Sequence, residues 1–502
     1  MQKKQTILVV ASLLVVVLSV TLAYFTAQII GKGKDVSVSS ADLKIIFTDS
    51  DGAISGSNIE PGWSDTKTFT VENNSKSEYK YNIVIKDLLN TFVTNGYLQY
   101  KITSTNDGYN MTEFKDVPKS SVATDTILAY SVVIPNGVTQ SYTIEFKYAN
   151  DESVDQSDDM GKKLSGTLFI TEGTEDPNKT LYNQLLADKS TVLTRTDFSK
   201  VLTDNNTNTL YTSTEDSKTV YYFAGNATDN WVKFGKNASN QDLYWRIIRT
   251  NSDGGVRLLY HGTSTTATDA YIGTSAFNTT YNNSMYVGYM YGTSGAQASN
   301  RTNENSSTIK TAIDNWYVSN LEAKGYTKYL STTAVYCNDR EVGSGTYSAT
   351  GSAFYYGAIT RLDTNKTPTY DCTNVNDKFT VDKSTGNGKL TYPISLMTAD
   401  EVSFAGGLYG TNAPTWYYKN SANGSSTGST WWWLLSPSNW DVSYAYVFNV
   451  YGSSNPGYLN NNYVDDTYGV RPAISLKSCI KYSTGNGSAS DPYTIKETTS
   501  GC

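Results

Sequence analysis

Near its C-terminus the chain places two apolar segments on either side of a long polar stretch. Trp431–Leu435 reads Trp-Trp-Trp-Leu-Leu, and Tyr468–Ile474 reads Tyr-Gly-Val-Arg-Pro-Ala-Ile. The residues between them are mainly Tyr, Asn, Ser, Gly and Asp, and Lys and Glu are scarce. Such a mixture packs poorly in a core, but Tyr supplies rigid contact area while Ser, Gly and Asn supply adaptable hydrogen bonds. The pattern predicts two buried strands that hold a contact surface between them.

The two flanking strands and the surface between them have different predicted roles. Trp433, Arg471 and Pro472 are predicted to be structural, and Arg471 is expected to pair internally and hold the terminal strand. Tyr and Trp in the polar stretch are typical interface anchors. The residues predicted to contact a ligand are Asn439, Trp440, Asp441, Tyr444, Tyr446, Phe448, Asn449, Tyr451, Asn455, Tyr458, Asn460, Asn462, Tyr463 and Asp465.

The overall composition narrows the class of protein. A chain of 502 residues predicts two to four domains at about 100 to 200 residues each. Charged residues make up only 17% of the chain and the net charge is −7. The chain therefore lacks the excess of basic residues that is typical of nucleic-acid-binding proteins. The excess of Thr, Tyr, Asn and Gly favours exposed β-structure with many turns.

The single histidine, His261, limits the possible catalytic chemistry. Zinc proteases of the H-E-x-x-H type need two histidines on one helix face. A Ser-His-Asp triad would have to use His261, which lies at the end of the predicted strand Leu258–Gly262 and is interpreted as an ordinary polar residue. We therefore predict no catalytic residue, no metal site and no cofactor, and we expect that the protein is not an enzyme.

The four cysteines are candidates for disulfide bonds. Cys337, Cys372, Cys479 and Cys502 allow three pairings, and none lies in a C-x-x-C motif. Proximity in sequence favours Cys337 with Cys372 and Cys479 with Cys502, and each bond would stabilise the fold by about 3 kcal/mol. Free thiols in a less oxidising compartment are the alternative.

The N-terminus has the features of an export signal. Lys3 and Lys4 precede the apolar run Ile7–Ala23, as in the basic and apolar regions of a signal peptide. Small residues at Thr21 and Ala23 favour cleavage after Ala23, but the run also approaches the roughly 20 residues that span a bilayer. Residues 1–35 are predicted to be a signal peptide or a membrane anchor with a short hinge. The expected location is extracellular or at the cell surface.

Residues 36–172 alternate between apolar and polar side chains at intervals suited to short strands. Turn residues separate the strands, and this arrangement predicts an antiparallel β-sandwich. The predicted strands are Ala41–Phe47, Lys67–Asn73, Tyr81–Ile85, Leu98–Thr103, Ile127–Ile134, Gln140–Tyr148 and Leu164–Thr171.

Three motifs in the N-terminal part of the chain resemble the TasA and camelysin family. They are Leu22–Thr26, Ile59–Trp63 and Phe69–Ser75. The family consists of exported surface or biofilm-matrix proteins of Gram-positive bacteria. The resemblance implies a jelly-roll-like sandwich and a specialised signal peptide. The metalloprotease activity often attributed to camelysin is not carried over, because this chain supplies no histidine-based metal site.

The remainder of the chain is predicted to be a linker, an α+β domain and a tail. Residues 173–217 are rich in Thr, Asn, Asp and Lys and predict a partly helical linker. Residues 218–480 form the domain and residues 481–502 the tail. Within the domain, Leu243–Arg249 and Val256–Tyr260 predict a hairpin, Ser307–Leu321 an amphipathic helix, and Thr398–Glu401 a capping box.

Four landmarks of this domain resemble a bacterial branch of the C-type-lectin-like fold. They are Trp245–Arg249, Leu396–Thr398, Trp433–Pro437 and Gly469–Ala473, and the resemblance covers residues 220–480. Formylglycine-generating enzymes share this fold but use paired cysteines near its end. Here Gly469–Ala473 contains no cysteine, and Cys479 lies beyond the strand. The calcium-binding Glu-Pro-Asn triplet of sugar-binding lectins is also absent from this region.

A closer resemblance is to retroelement-diversified variable proteins, in which a lectin-like scaffold displays a hypermutated segment before a terminal G-V-R-P motif. The resemblance implies a replaceable ligand surface. Adenine-directed mutation of Asn codons yields mixtures like Ser438–Tyr444 and Tyr458–Tyr463. Trp440 departs from this pattern, since Trp is not reachable from an Asn codon in that way. A fixed polar loop is the alternative.

Together these features predict an exported bacterial adhesin or receptor that carries a β-sandwich and a lectin-like head. The expected partners are a surface protein or glycan of another cell or host and the cell envelope, with self-assembly as a further possibility and nucleic acid excluded. An alternative is a matrix or fibre subunit that assembles through the sandwich. A third, least favoured hypothesis is an enzyme on the fold of the formylglycine-generating enzymes.

Overall fold

The chain divides into two compact units, Met1–Pro177 and Asn178–Cys502. The computed structural model describes residues 36–37, 43–47, 53–56, 59–111, 113–177, 179–267, 270–413, 431–452, 455 and 457–502. Strands dominate both units, so the predicted multidomain, β-rich class is confirmed. Within these ranges no helix is long and apolar enough to cross a membrane. The predicted signal peptide or anchor, residues 1–35, lies outside the described residues.

The first unit is built from two antiparallel sheets. One sheet has the order β1-β2-β4-β9-β6-β7 and the other β3-β10-β5-β8. A 3₁₀ turn at Ser157–Asp159 precedes the last strand. The strands are β1 (Val36–Ser37), β2 (Leu43–Phe47), β3 (Ala53–Gly56), β4 (Ser64–Asn73), β5 (Tyr79–Asn90), β6 (Leu98–Ser104), β7 (Lys115–Asp116), β8 (Ser120–Ile134), β9 (Thr139–Tyr148) and β10 (Leu164–Glu172).

The two sheets of the first unit share one core. In β9, Tyr142, Ile144 and Phe146 are buried while the residues between them face outward, as the period of two in a strand requires. They belong to the same apolar cluster as Ile83 of β5 and Ile170 of β10 in the other sheet. The layers are therefore arranged as in a β-sandwich.

The second unit mixes strands with short helices. Its strands are β11 (Thr191–Thr194), β12 (Thr209–Glu215), β13 (Lys218–Tyr222), β14 (Trp231–Lys236), β15 (Asp242–Thr250), β16 (Val256–Gly262), β17 (Thr274–Ala276), β18 (Met290–Tyr291), β19 (Asn305–Ser306), β20 (Tyr336–Cys337), β21 (Val342–Ser344), β22 (Phe354–Tyr356), β23 (Lys378–Phe379), β24 (Ile394–Leu396), β25 (Trp432–Trp440), β26 (Ala445–Val450), β27 (Leu459–Tyr463), β28 (Thr467–Gly469), β29 (Pro472–Leu476), β30 (Tyr482–Thr484) and β31 (Tyr493–Ile495). The α-helices are α1 (Leu181–Asp188), α2 (Gln297–Asn300), α3 (Thr308–Tyr317), α4 (Gly357–Ile359) and α5 (Ala399–Phe404). The 3₁₀ helices are Ser284–Val287, Tyr326–Tyr329 and Val375–Asp377, and π-helical turns occupy Val318–Glu322 and Thr360–Asn365.

Two large sheets organise the second unit. One runs β11-β12-β13-β15-β14-β31-β30 and is extended through β16 by β29 and β24. The other runs β17-β28-β25-β22-β21, with β26 and β27 following on from β25. The two predicted flanking strands are therefore buried in different sheets, because β25 belongs to the second sheet and β29 to the first.

The second unit includes residues 178–217 of the predicted linker and the predicted tail, residues 481–502, so it extends beyond the predicted domain boundaries at 218 and 480. Residues 173–217 contain α1 and two strands of the large sheet, and Leu181 and Leu185 of α1 are buried in the core. Residues 481–502 supply β30 and β31, whose Tyr493 pairs with Val232. The amino-acid composition did not predict that these segments pack on the second unit, because a few apolar residues at helix or strand spacing are enough to attach a polar segment to a core.

Local patterns in the domain are confirmed. Strands β15 and β16 form the predicted hairpin. Ser307 caps α3 by accepting a hydrogen bond from the Lys310 backbone nitrogen at 3.3 Å, and the chain continues as a π-helical turn to Glu322. Thr398 and Glu401 form the capping box of α5. His261 is buried, with its ring edge-on to Trp231 at 4.3 Å.

The cysteines pair as proximity in sequence favours. Cys337 bonds to Cys372, and Cys479 bonds to Cys502. The first bond closes the segment that contains β21 and β22, and the second attaches the C-terminal residue next to β29.

A network of buried charges joins the hairpin to α5. The Arg249 Nε and the Arg257 Nη1 donate to the same Glu401 oxygen, at 2.9 and 2.7 Å. The Arg249 Nη2 donates to Glu215 at 2.7 Å. Burial by itself raises the pKa of Glu215. The charge and the hydrogen bond of Arg249 together outweigh burial and lower that pKa to about 2. Burial also raises the pKa of Glu401, but the charges of Arg257 and Arg249 outweigh it and hold that pKa below the ordinary value, so both carboxylates are ionised inside the fold.

We predict that Glu215→Gln destabilises the second unit by about 3 kcal/mol at pH 7, because Arg249 loses a buried counter-charge. The folded-state pKa of Glu215 lies below its ordinary value of 4.5. The stabilising contribution is therefore full above about pH 4.5 and is lost as the pH falls toward about 2. Urea unfolding at pH 7 and pH 2.5 measures both effects.

The exposed Glu304 provides a matched control, and Glu304→Gln should leave the free energy of unfolding almost unchanged. A Glu215→Gln deficit of equal size at both pH values would contradict the ionic origin of the effect.

Candidate ligand-binding surface

Four strands place polar and aromatic side chains in one row. Tyr355 of β22 lies opposite Asn439 of β25, Asn439 opposite Tyr446 of β26, and Tyr446 opposite Tyr463 of β27. Directly opposite residues share a face of a sheet. Tyr355 is 52% exposed and Tyr463 37%, and the other two are half-buried. We call the surface formed by these residues with Tyr281, Asp441 and Tyr444 the tyrosine face.

Asp441 fixes the turn at one end of this face. Its carboxylate accepts hydrogen bonds from the backbone nitrogens of Ser443 and Tyr444, at 2.9 and 2.7 Å. The Tyr446 hydroxyl donates to the same carboxylate at 2.7 Å. Burial raises the pKa of Asp441, but these hydrogen bonds outweigh it and hold that pKa below the ordinary value. An ionised Asp441 therefore holds the turn and the Tyr446 ring in place.

The rings of the tyrosine face support one another. Tyr444 stacks on Tyr281, with ring centroids 4.7 Å apart and planes inclined by 17°. Tyr463 contacts Tyr444 at 4.4 Å and Tyr446 at 4.8 Å. Burial and the hydrogen bonds to Tyr463 and Asp441 raise the pKa of Tyr446, so its hydroxyl stays protonated. Rings held in this way lose little conformational entropy when a ligand binds.

A second group of candidate residues lies on the other side of β27. Asn460 and Asn462 alternate with Asn461 and Tyr463, so their side chains leave the sheet on the opposite face. The Asn460 amide donates to the Tyr451 hydroxyl at 2.8 Å. The Asn462 amide donates to the Tyr468 hydroxyl. We call the surface formed by Asn460, Asn462, Tyr451 and Tyr468, together with Trp431 and Tyr458, the asparagine face.

Aromatic stacking holds the asparagine face together. Trp431 stacks on Tyr451 with centroids 3.8 Å apart and planes inclined by 9°. Tyr458 also stacks on Tyr451, with ring centroids 5.3 Å apart. Tyr468 donates to Asp466 at 3.0 Å. The single contact surface expected from the sequence is therefore divided between two faces of one sheet.

Three residues predicted to contact a ligand are buried, so that prediction is wrong for them. Trp440 is 1% exposed and ends β25 in the core, while Phe448 and Asn449 are fully buried in β26. Tyr409 packs edge-on against Phe448 at 5.8 Å and covers it. Asn449 lies opposite Trp433. The pairing of β25 with β26 extends further than composition indicates, and it buries these side chains.

The remaining candidates are exposed or half-buried, and Asn455 and Asp465 are among the half-buried ones. Tyr281 and Tyr355 were missed, because each is far from the polar stretch in sequence. No local pattern distinguishes them from other tyrosines, and only the pairing of β22 with β25 and the stacking on Tyr444 bring them to the face.

The residues predicted to be structural are buried and internally bonded. Trp433 donates from its indole nitrogen to the Ser275 carbonyl at 2.9 Å. The Arg471 guanidinium donates to the Tyr260 carbonyl at 3.2 and 3.3 Å and lies over the Trp432 ring at 4.8 Å. Pro472 is buried in β29 opposite Leu396. Among the described residues, no cluster of three or more His, Cys, Asp or Glu side chains could hold a metal ion.

Residues 269–478 match a family model described as "Domain of unknown function (DUF6273)". The matched range contains both faces. The chain matches none of the curated proteins. One solved structure, described as a crystal structure of a ruminal GH26 endo-beta-1,4-mannanase, is 15% identical, with 28% of this chain and 29% of that chain covered and a TM-score of 0.15. At that TM-score the similarity carries no argument about fold or function.

We predict that Trp440→Ala lowers the free energy of unfolding by about 3 to 5 kcal/mol, since it leaves a cavity in the core. Tyr463→Ala should cost about 1 kcal/mol, because it removes only exposed ring contacts. Calorimetry of the full chain, following the transition of the second unit, measures both. Similar losses for the two variants would mean that the tyrosine face is core and not a contact surface.

Proposed function

We propose that the chain is an exported, non-catalytic surface protein, an adhesin or receptor, that binds its ligand through the tyrosine face. The observation that carries this proposal is the row Tyr355, Asn439, Tyr446 and Tyr463 across four strands. Rigid, partly exposed tyrosines next to amide side chains are the composition of many protein and glycan contact surfaces.

The burial pattern also supports a scaffold with a changeable surface. The flanking strands β25 and β29 are buried, whereas most of the polar residues between them reach solvent. Arg471 bonds to Tyr260 within the scaffold, as expected if the G-V-R-P motif closes a C-type-lectin-like fold. We propose that fold for the second unit and a jelly-roll-like, TasA-type sandwich for the first. Substitutions on the exposed faces would then change what is bound without unfolding the domain.

The cysteines are consistent with export. The two disulfide bonds are of the kind that usually forms and persists in oxidising compartments, such as the exterior of a cell. Cys479 is one of the bonded residues, so it carries no free thiol for the cysteine chemistry that the enzyme hypothesis needs. The proposed partners are a surface protein or a glycan of another cell or host.

We predict that the double variant Tyr446→Ala, Tyr463→Ala loses at least about tenfold in affinity, because two central ring anchors disappear. The full chain is applied to arrays of printed glycans and of purified cell-surface proteins. The affinity for each retained ligand is then measured by surface plasmon resonance, and the melting temperature by calorimetry.

Two comparisons make the result specific. Tyr451→Ala with Tyr458→Ala tests the asparagine face, and Tyr244→Ala controls for loss of a half-buried tyrosine on a strand of the other sheet. Equal affinity in the tyrosine-face variant and the parent chain would refute the proposal. Loss only in the asparagine-face variant would move the contact surface to the opposite side of β27.

A matrix or fibre subunit is the second candidate function, and the edge of one sheet favours it. Strand β8 ends the order β3-β10-β5-β8, and in the described part of the chain it pairs only with β5. Its first residues are exposed, and Val122 is 67% exposed. An edge of this kind can pair with a strand of another copy.

If this edge drives assembly, the full chain should form fibres visible by electron microscopy, and Val122→Lys should prevent them, because an edge lysine opposes strand pairing. Thr219→Lys, at an exposed residue of β13 in the second unit, should leave assembly intact. A chain that sediments as a monomer at all concentrations tested would rule out the fibre function.

A further inference from the structure

We propose that the second unit has another binding site, a polar groove that takes a neutral oligosaccharide. The groove has three walls. One is the segment 278–280 that follows β17, another is helix α3, and the third is the short ladder of β18 and β19. Its volume is about 490 Å³, and it is a shallow depression that is open to solvent. Ligand sites are typically about 300 to 1,000 Å³.

The walls present neutral hydrogen-bonding groups. Thr279 and Thr280 face Thr311 and Asn315 of α3 across the groove, and these hydroxyl and amide groups can both donate and accept. Among the lining residues that the structure describes, none is charged. An ionic ligand would leave its charge without a partner there, whereas a ligand with many hydroxyl groups would find several.

The charged residues nearest to the groove on α3 are occupied elsewhere. Lys310 is 2% exposed and forms an ion pair with Asp314 one turn later. The pair satisfies both charges within the helix, so neither is directed at a ligand. The groove is therefore neutral for two reasons: its lining residues are uncharged, and the nearby charges of Lys310 and Asp314 neutralise each other within the helix.

The floor of the groove contains an unused donor. Asn278 is 4% exposed, and its side-chain oxygen accepts a hydrogen bond from the Thr280 backbone nitrogen at 3.4 Å. Its amide nitrogen has no hydrogen-bond partner within the described part of the chain. A buried donor without an acceptor costs about 1 to 3 kcal/mol. The nitrogen itself is buried, so a ligand hydroxyl would become its acceptor once the Asn278 side chain turns toward the groove.

An aromatic ring lines the groove as well. Tyr291 contacts Tyr286 edge-on, with the two ring centroids 5.3 Å apart. A sugar ring has an apolar C–H face and a rim of hydroxyl groups. A tyrosine ring can pack against the first while the neutral side chains bind the second.

The decisive variant is Thr311→Arg, which fills the groove from an exposed position on α3. Maltohexaose, mannohexaose and chitopentaose are titrated separately into the full chain by isothermal calorimetry, with a heparin hexasaccharide as the anionic comparison. We expect at least one neutral sugar to bind with a Kd below about 1 mM, and Thr311→Arg to weaken it at least tenfold. Asn278→Leu should also weaken it.

Controls separate this site from the tyrosine face and from misfolding. Thr219→Arg makes the same change at an exposed residue of β13 and should leave binding unchanged. If Asn278→Leu fails to fold, Thr311→Arg alone decides. The inference is overturned if no neutral sugar binds, if only the heparin fragment binds, or if Thr311→Arg binds as the parent does. It is also overturned if Tyr446→Ala with Tyr463→Ala abolishes sugar binding while Thr311→Arg does not. The groove does not depend on the tyrosine face, so either site can fail alone.

Discussion

Glu401 is the charge on which the second unit depends. It accepts from Arg249 and Arg257 of the β15–β16 hairpin, and its second oxygen accepts from the Thr398 backbone nitrogen at 3.0 Å. The same side chain thus caps α5 and ties that helix to the largest sheet. A buried carboxylate with two buried guanidinium partners is costly to disrupt, because each loss leaves an uncompensated charge. The position of α5 relative to the hairpin is therefore set by electrostatics as well as by packing.

Helix α5 in turn positions β25. The Ala399 backbone nitrogen donates to the Ser436 hydroxyl at 2.9 Å, and the Leu435 backbone nitrogen donates to the Met397 carbonyl at 2.8 Å. Strand β25 in turn pairs with β22 and with β26, both antiparallel. The row of the tyrosine face is a consequence of that register, since a slip by one residue would turn every side chain to the opposite face.

The sequence predicted those parts of the fold whose signals are local. The hairpin, α3, the α5 cap and the strands of the first unit all show their period or their cap within a few residues. The attachment of residues 178–217 and 481–502 to the second unit was missed because it depends on distant pairing, such as β31 with β14. Amino-acid composition does not encode which strand a polar segment will meet.

The candidate site shows the same limit at the level of single residues. Composition identified a stretch that is mostly exposed, but it could not assign residues to faces. Trp440, Phe448 and Asn449 lie in that stretch and are buried. Conversely, Tyr281 and Tyr355 lie far from it in sequence and reach the tyrosine face through tertiary contacts. Side-chain direction follows from strand register, and register depends on partners that lie elsewhere in the chain.

The tyrosine face and the groove differ in how their polar groups are satisfied. On the tyrosine face, Tyr446 and Asp441 bond to each other, so a ligand gains mainly from ring area and shape. In the proposed groove, the Asn278 amide nitrogen lacks an acceptor among the residues that the structure describes, so a ligand to which this side chain turned would gain a hydrogen bond. A surface of the first kind tolerates substitution, because no buried polar group is left unpaired. A site of the second kind discriminates sharply, because a ligand without the matching hydroxyl leaves the donor unsatisfied. We therefore propose that the strands provide the changeable specificity and the groove a constant one.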